Sequence, residues 1–182
     1  MDFAKLKEQL RPLAILEDVV AEETADVEVE QEEGAADLDA QSVPEPQQLP
    51  AINEVDHQAK GFDLDVKVEA DKVVEAAKIL DEQGFFLEAV TGVDWLKENQ
   101  LEVVYDYCMW QPQCRVVIRT RLDRENPVIP TISAVIPGAN WHERETHDFF
   151  GIKFSGHPNL IPILLPEDSD FHPLLKDFKV NE

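Results

Sequence analysis

Apolar residues along the chain recur at two different spacings, and the two divide it into strands and helices. Leu64, Val66 and Val68 alternate with Asp63, Asp65 and Lys67, the period of two that marks a half-exposed strand. Asp71 then opens a stretch carrying Val73, Ala76, Ala77 and Leu80 on one side, which predicts a helix with Asp71 as N-cap and Gly84 at its C-terminal end. Phe85 to Thr91 is rich in aromatic and β-branched residues and predicts a strand whose end is marked by Gly92 and Asp94. Leu101, Val103, Tyr105 and Tyr107 alternate with Glu102, Val104 and Asp106. In RVVIRTRL (115–122), Val116, Ile118 and Thr120 alternate with Arg115, Val117, Arg119 and Arg121. These runs predict an antiparallel meander whose basic outer face pairs with Glu102 and Asp106. The expected fold is α+β: a small antiparallel or mixed sheet with helices on one face.

Beyond Asn126 prolines become frequent and long regular elements stop. Thr131–Ile136 and Ala139–Phe150 predict two helices, the second stopped by Gly151. After residue 156 the chain reads as an extended proline-rich C-terminal arm that packs on its own domain or on another subunit. At the other end, Phe3, Leu6, Leu10 and Leu13 recur at helical spacing, interrupted by Pro12. The expected organisation is a short amphipathic helix at 1–20, an acidic disordered linker at 21–60, an α+β domain at 61–155 and the arm at 156–182.

Charge sharpens this division. The chain carries 38 acidic and 16 basic side chains, a formal net charge of -22. Between Glu17 and Glu45 there is no basic residue, and residues 21–50 contain no aromatic. Mutual repulsion and few apolar groups predict disorder there, with an acidic docking tail as the functional alternative. So acidic a chain lacks the footprint of a nucleic-acid binder and is repelled by anionic membrane surfaces. No apolar run approaches the length of a membrane span, and the N-terminus lacks the pattern of a secretory signal. Cytosolic residence is the expectation, and two cysteines, Cys108 and Cys114, are too few for a disulfide scaffold.

Candidate chemistry is sparse. His142 and His147 are five apart rather than four, so they leave the helix on different faces and do not make a helical zinc pair. Cys108 and Cys114 do not form a CxxC pair, and no phosphate-binding glycine loop or GxSxG nucleophile motif occurs. Trp141, Glu145, Asp148 and Phe149 place carboxylates beside aromatic bulk, where they lose solvation unless paired. The partner lies within the chain, with Arg144 and Asp148 suitably spaced, or on another subunit. A pair of carboxylates acting as general acid and base is the enzymatic alternative.

The segment WHERETHDFFGIKFSGHPNL, residues 141–160, resembles the 30 kDa subunit family of respiratory complex I, the NADH–quinone oxidoreductase. The family pattern falls on Glu143, Arg144, Glu145, Asp148, Phe149, Phe150, Gly151, Phe154, Gly156, His157 and Pro158. TGVDW (91–95), PTIS (130–133) and HPLLKDF (172–178) resemble it too, so the likeness spans about residues 61–179. The resemblance implies a structural subunit of a hydrophilic arm, without an iron–sulfur cluster, flavin, nucleotide or catalytic residue of its own. Its implied partners are the hydrogenase-like large subunit and the iron–sulfur subunits of the same complex, which sits peripherally on the cytoplasmic face of the membrane. That complex is expected to hold iron–sulfur clusters with either nickel–iron or flavin. The implied interface residues are Trp141, Glu143, Arg144, Glu145, Asp148, Phe149, Phe150, His157, Lys176, Asp177 and Phe178.

Two departures bear on the kind of complex. Ile161 and Pro162 stand where the respiratory form carries a basic residue, and Leu175 stands in HPLLKDF where it tends to carry arginine. With NLIPILLPED at 159–168, they point first to an energy-converting hydrogenase or related group-4 complex. The equivalent subunit of an NADH- or deazaflavin-dependent quinone oxidoreductase is the alternative. A free-standing enzyme and an acidic adaptor are the remaining readings.

Overall fold

A computed structural model describes residues 3–18 and 48–179. In chain order the elements are α1 (Phe3–Leu10), β1 (Leu16–Asp18), β2 (Gln48–Pro50), β3 (Ile52–Glu54), α2 (His57–Lys60) and β4 (Leu64–Lys67). They continue with α3 (Val73–Glu82), β5 (Phe86–Trp95), β6 (Gln100–Trp110), β7 (Gln113–Asp123), β8 (Val128–Pro130), α4 (Ala139–Phe150) and β9 (Lys153–Ser155).

The central sheet has the order β3-β4-β7-β6-β5. Its neighbours are antiparallel except β4 and β7, which run parallel, so the sheet is mixed. The alternation decides its two faces. Leu64, Val66, Leu101, Val103, Tyr105, Tyr107, Val116 and Ile118 are buried in one continuous core. Leu6 and Leu10 of α1, Val73, Ala76, Ala77 and Leu80 of α3, and Ala139 of α4 belong to the same core, so the helices share that face. Full burial of each such leucine contributes about 1.5–3 kcal/mol.

The opposite face carries charge. Glu102 is nearly buried there, held by the Arg121 Nε at 2.9 Å and the Trp95 Nε1 at 3.2 Å. The Arg121 guanidinium lies 4.1 Å from the Trp95 ring centroid, and Arg119 Nε donates to Asp65 at 2.9 Å. The expected cross-strand pairing is present at Glu102 and Arg121, which oppose each other in the β6–β7 ladder. Arg115 instead pairs with Glu88 of β5 rather than with Asp106, which lies opposite Val117.

Several expectations need correction. β5 runs through Gly92 and Asp94 to Trp95, because both residues point to the core side of a ladder that β6 continues. The helix begins at Val73, and Asp71 lies in the 3-10 turn Ala70–Lys72 before it, without a side-chain capping bond at the helix start. Residues 131–136 form a single turn closed by Val135 and Ile136 N–H groups on the Ile132 carbonyl, both at 2.9 Å. Pro130 and Pro137 leave too few residues between them to propagate a helix.

The acidic linker expected over 21–60 lies outside the described residues as far as position 47. From Gln48 onward it is structured: β2 pairs with β1, β3 forms a sheet edge, and Asp56 caps α2 through the Gln58 N–H at 3.0 Å. The domain therefore begins before residue 61. The amphipathic segment docks within the chain, with Leu6, Leu10 and Leu13 buried. The C-terminal segment carries turns and bends rather than a long extended run, and Leu160 and Leu175 pack against the core.

Candidate functional site: a helix that ties down the C-terminal segment

The segment singled out by motif, 141–160, begins within α4. Gly151 stops this helix at φ 75°, and its N–H bonds the His147 carbonyl at 2.8 Å. A Cβ there would also lie 2.7 Å from the His172 ring, so both the backbone angle and the space call for glycine.

Five polar residues of α4 reach four other segments of the chain. Glu143, fully buried, accepts the Ile132 N–H at 2.8 Å and the Thr131 hydroxyl at 2.5 Å. The Arg144 guanidinium donates to the carbonyls of Ile161 at 3.0 Å and Pro162 at 2.9 Å. The Thr146 hydroxyl donates to the Val90 carbonyl of the edge strand β5 at 3.1 Å. His147 Nδ1 lies 2.9 Å from the Ile152 carbonyl. Asp148, almost fully buried, accepts three consecutive backbone N–H groups with one oxygen: Ile163 at 3.1 Å, Leu164 at 2.8 Å and Leu165 at 2.9 Å.

These bonds replace the solvation that the aromatic-flanked carboxylates lose. Glu143 and Asp148, grouped with the interface residues by sequence, sit inside the chain and hold other parts of it. Arg144 and Asp148 do not form the i,i+4 pair that their spacing offered. One binds carbonyls of the C-terminal segment and the other binds its N–H groups. Thus a cation and an anion clamp adjacent stretches, 161–162 and 163–165, each through the backbone pole opposite to its charge.

A second latch lies at the end of β5. Asp94 is buried and receives Arg124 through two nitrogens, at 2.9 and 3.1 Å, and the Lys176 N–H at 2.8 Å. The same Arg124 reaches Asp177 at 2.5 Å. Phe178 stacks on Phe171 with centroids 5.5 Å apart. Nearby, the Leu174 N–H bonds the Phe149 carbonyl at 3.2 Å, and His172 Nδ1 approaches the Asp148 carbonyl at 2.9 Å.

His157 has a buried side chain. Its Nδ1 accepts the Asn159 N–H at 3.1 Å, which leaves Nε2 to donate to the Asn140 carbonyl at 3.2 Å. The ring thus bridges Asn140 to the turn that spans Pro158. Phe150 lies on β5 where Gly92 leaves room, since a Cβ at Gly92 would fall 2.5 Å from its ring. Trp141 and Glu145 face solvent. Of the sequence-predicted residues, Glu143, Arg144, Asp148 and His157 bond segments around α4, Lys176 and Asp177 belong to the latch at Asp94, and Trp141 and Glu145 belong to neither.

The acid–base balance follows from partners. Burial opposes ionisation of Asp148, but the three N–H groups and nearby His147 outweigh it, and the carboxyl titrates below its ordinary range. Asp94 is similar: burial is outweighed by Arg124 and the Lys176 N–H. Asp177 is lowered by its bond to Arg124. Glu143 goes the other way. Burial dominates over its two hydrogen bonds and raises its pKa. Burial also lowers His147, and it pushes the Cys114 thiol up to about 12.

Asp94, Arg124, Thr131 and Thr146 are anchors that sequence reasoning did not name as such. TGVDW and PTIS contained two positions of this network, Asp94 and Thr131, as parts of a likeness without a role. Among the described residues, no group of three or more His, Cys, Asp or Glu is placed to hold a metal ion. No described helix is long and apolar enough to cross a membrane.

Fold and site define a mixed-sheet α+β module whose signature helix fastens the chain's own C-terminal segment. The model of the respiratory-chain NADH dehydrogenase 30 kDa subunit family matches residues 66–182, and the chain belongs to that family. An NADH-quinone oxidoreductase subunit of Roseiflexus sp. (strain RS-1) is 45% identical over 120 residues, covering 63% of this chain and 69% of that protein. The subunit of the same name from Moorella thermoacetica is 38% identical over 104 residues, covering 57% and 70%. A chain from the structure of the membrane-bound sulfane sulfur reductase, an archaeal respiratory membrane complex, aligns with TM-score 0.59 and 31% identity over 64% of this chain and 71% of its own.

Proposed function

We propose that the chain is a structural subunit of the hydrophilic arm of a complex I-like NADH–quinone oxidoreductase. It docks beside the hydrogenase-like large subunit on the cytoplasmic side of the membrane. The observation that carries this reading is the use of the signature helix. Five of its polar residues, Glu143, Arg144, Thr146, His147 and Asp148, bond the chain's own backbone, at 90, 132, 152 and 161–165. Such a helix builds a surface. We place the iron–sulfur clusters and the flavin on neighbouring subunits.

The likeness to NADH-quinone oxidoreductase subunits at 45% and 38% identity supports the quinone-reductase reading. Ile161, Pro162 and Leu175 are the residues that favour the second reading, a subunit of an energy-converting hydrogenase. Their weight is reduced at one turn. Arg144 already holds the carbonyls of Ile161 and Pro162, so no second guanidinium is required there.

Mass spectrometry of the intact complex isolated from native membranes tests both. A flavin-containing assembly with NADH–quinone reductase activity supports the first reading. A nickel-containing assembly replaces it with the second. A chain found free of any assembly rejects both. Removing residues 156–182 is expected to release the chain from its partner. That cut also strips Asp94 and Asp148 of N–H donors, so point changes on the surface are the cleaner test.

A further inference from the structure

Where β6 turns into β7, on the sheet face turned away from the core, lies a cleft of about 330 Å³. The ladder builds its floor. Tyr107 and Val116 oppose each other in the core, so the pairs that follow on alternate sides, Cys108 with Arg115 and Trp110 with Gln113, stand on the opposite face. Phe86 of β5 lies opposite Cys108 and joins them. A further wall comes from α2 through His57. α2 precedes residues 66–182, so the family module alone does not build this cleft.

Its rings differ from the others on the surface. Of the three tryptophans, Trp95 has the Arg121 guanidinium 4.1 Å from its ring centroid and Trp141 has that of Arg144 at 5.6 Å. Trp110 instead stacks on Phe86, with centroids 5.9 Å apart and planes 20° from parallel, and is still 77 % exposed. One indole face is committed to Phe86, and no cation of the described residues covers the other. The polar groups fall into two sets. Arg115 and Glu88 are paired with each other. His57 Nδ1 lies 3.1 Å from Asp63 Oδ2, which also accepts the Arg115 N–H at 2.7 Å. A carboxylate only accepts, so Nδ1 carries the proton and Nε2 of the neutral ring is left as an acceptor. Gln113, exposed at the turn, offers both a donor and an acceptor.

A bare ring face beside a separate donor and acceptors, with the nearby guanidinium already paired, suits a flat polar ring and not an anion. Charge agrees, because a chain at -22 repels phosphate and carboxylate ligands. We infer that Phe86, Trp110, Gln113 and His57 form a binding site for an uncharged heteroaromatic ring of nucleobase size. The ring stacks on Trp110, donates to His57 Nε2 and exchanges hydrogen bonds with the Gln113 amide. The site shares no residue with α4 or the C-terminal segment, so it stands or falls apart from the subunit reading.

Calorimetric titration of the full-length chain with adenosine and with guanosine as probes tests this. A Kd of about 0.1–1 mM is expected for at least one of them. Trp110→Leu keeps apolar bulk without a π-face and is expected to weaken that binding about tenfold or more, while Trp110→Phe stays within about threefold of the wild type. Gln113→Ala is expected to weaken it about threefold or more. Thermal unfolding of each variant checks the fold. Binding of neither probe at about 5 mM overturns the site, and so does wild-type affinity in Trp110→Leu. Wild-type affinity in Gln113→Ala overturns the polar half of the assignment. Should Trp110→Leu unfold, the proton resonances of the bound probe's ring on the wild-type chain are read in its place: upfield shifts support the stack and unshifted signals overturn it. Tighter binding of adenosine triphosphate than of adenosine overturns the uncharged ligand. Sedimentation of the wild-type chain as a dimer that Trp110→Leu abolishes assigns the bare ring to self-association and overturns the proposal.

Discussion

Asp148 and Glu143 lie on one helix, five residues apart, and respond oppositely to pH. Asp148 titrates below its unfolded value, so its contribution to stability is present above about pH 4 and is lost as pH falls through the lower folded value. Glu143 titrates above its unfolded value. Its neutral form suits the fold, and stability falls as pH rises from about 4.3 through the raised folded value. Asp148→Asn is expected to destabilise the chain at pH 7 by about 1–3 kcal/mol, because N–H groups aimed at a charge lose it. Glu143→Gln is expected to cost less and to flatten the dependence of stability on pH above about 4.3. Urea denaturation of both variants between about pH 4 and pH 8 checks this; equal costs at every pH would refute the assignment. Sequence reasoning marked Glu145 and Asp148 as carboxylates beside aromatics that want a partner; Asp148 has partners within the chain, whereas Glu145 faces solvent. It looked for a partner at i,i+4 or on another subunit, whereas Asp148 binds N–H groups 15 to 17 residues distant and Glu143 binds the Ile132 N–H and the Thr131 hydroxyl, 11 and 12 residues away. Helix spacing does not encode partners so distant in the chain.

At the scale of elements, β4 to β7 and α3 were legible because their apolar period matches their burial, and α4 because Pro137, Gly138 and Gly151 bound it, since its own buried residues are Ala139, Glu143, Thr146 and Asp148. What escaped was decided by contacts between elements. Gly92 reads as a strand end by its residue type, yet it is a strand interior that admits the Phe150 ring. Gly92→Ala is expected to shift that ring and destabilise the α4–β5 packing by about 1–3 kcal/mol, seen as a lowered thermal midpoint. The N-terminal helix is the other case. Its period was visible, but only the burial of Leu6, Leu10 and Leu13 shows that it completes this chain's core. It lies outside residues 66–182 that match the family. Leu10→Ala is therefore expected to cost about 2–5 kcal/mol in urea denaturation, as for a core leucine. A cost below about 1 kcal/mol would mean that α1 belongs against a partner instead.

For the whole molecule, an excess of acid sets the terms of association. At a net charge of -22 the chain is expected to join a basic surface faster at low salt. The rate of incorporation into subunit-depleted complex, followed at rising ionic strength, checks this. A rate insensitive to salt would show that charge does not steer assembly. The family itself was legible from the segment at 141–160 and its companions. Which of its residues face inward was not, because a residue fixed by a partner subunit and one fixed by its own chain leave the same trace in a sequence. The C-terminal segment is held on α4 before assembly, and amide hydrogen exchange of the isolated full-length chain reads that directly. The amides of Ile163, Leu164, Leu165 and Lys176 are expected to exchange about a hundredfold slower than in an unstructured peptide, and those of 163–165 to lose that protection in Asp148→Asn. Exchange of all four at the unstructured rate in the wild-type chain would contradict this, since the segment would then be ordered only by its partner.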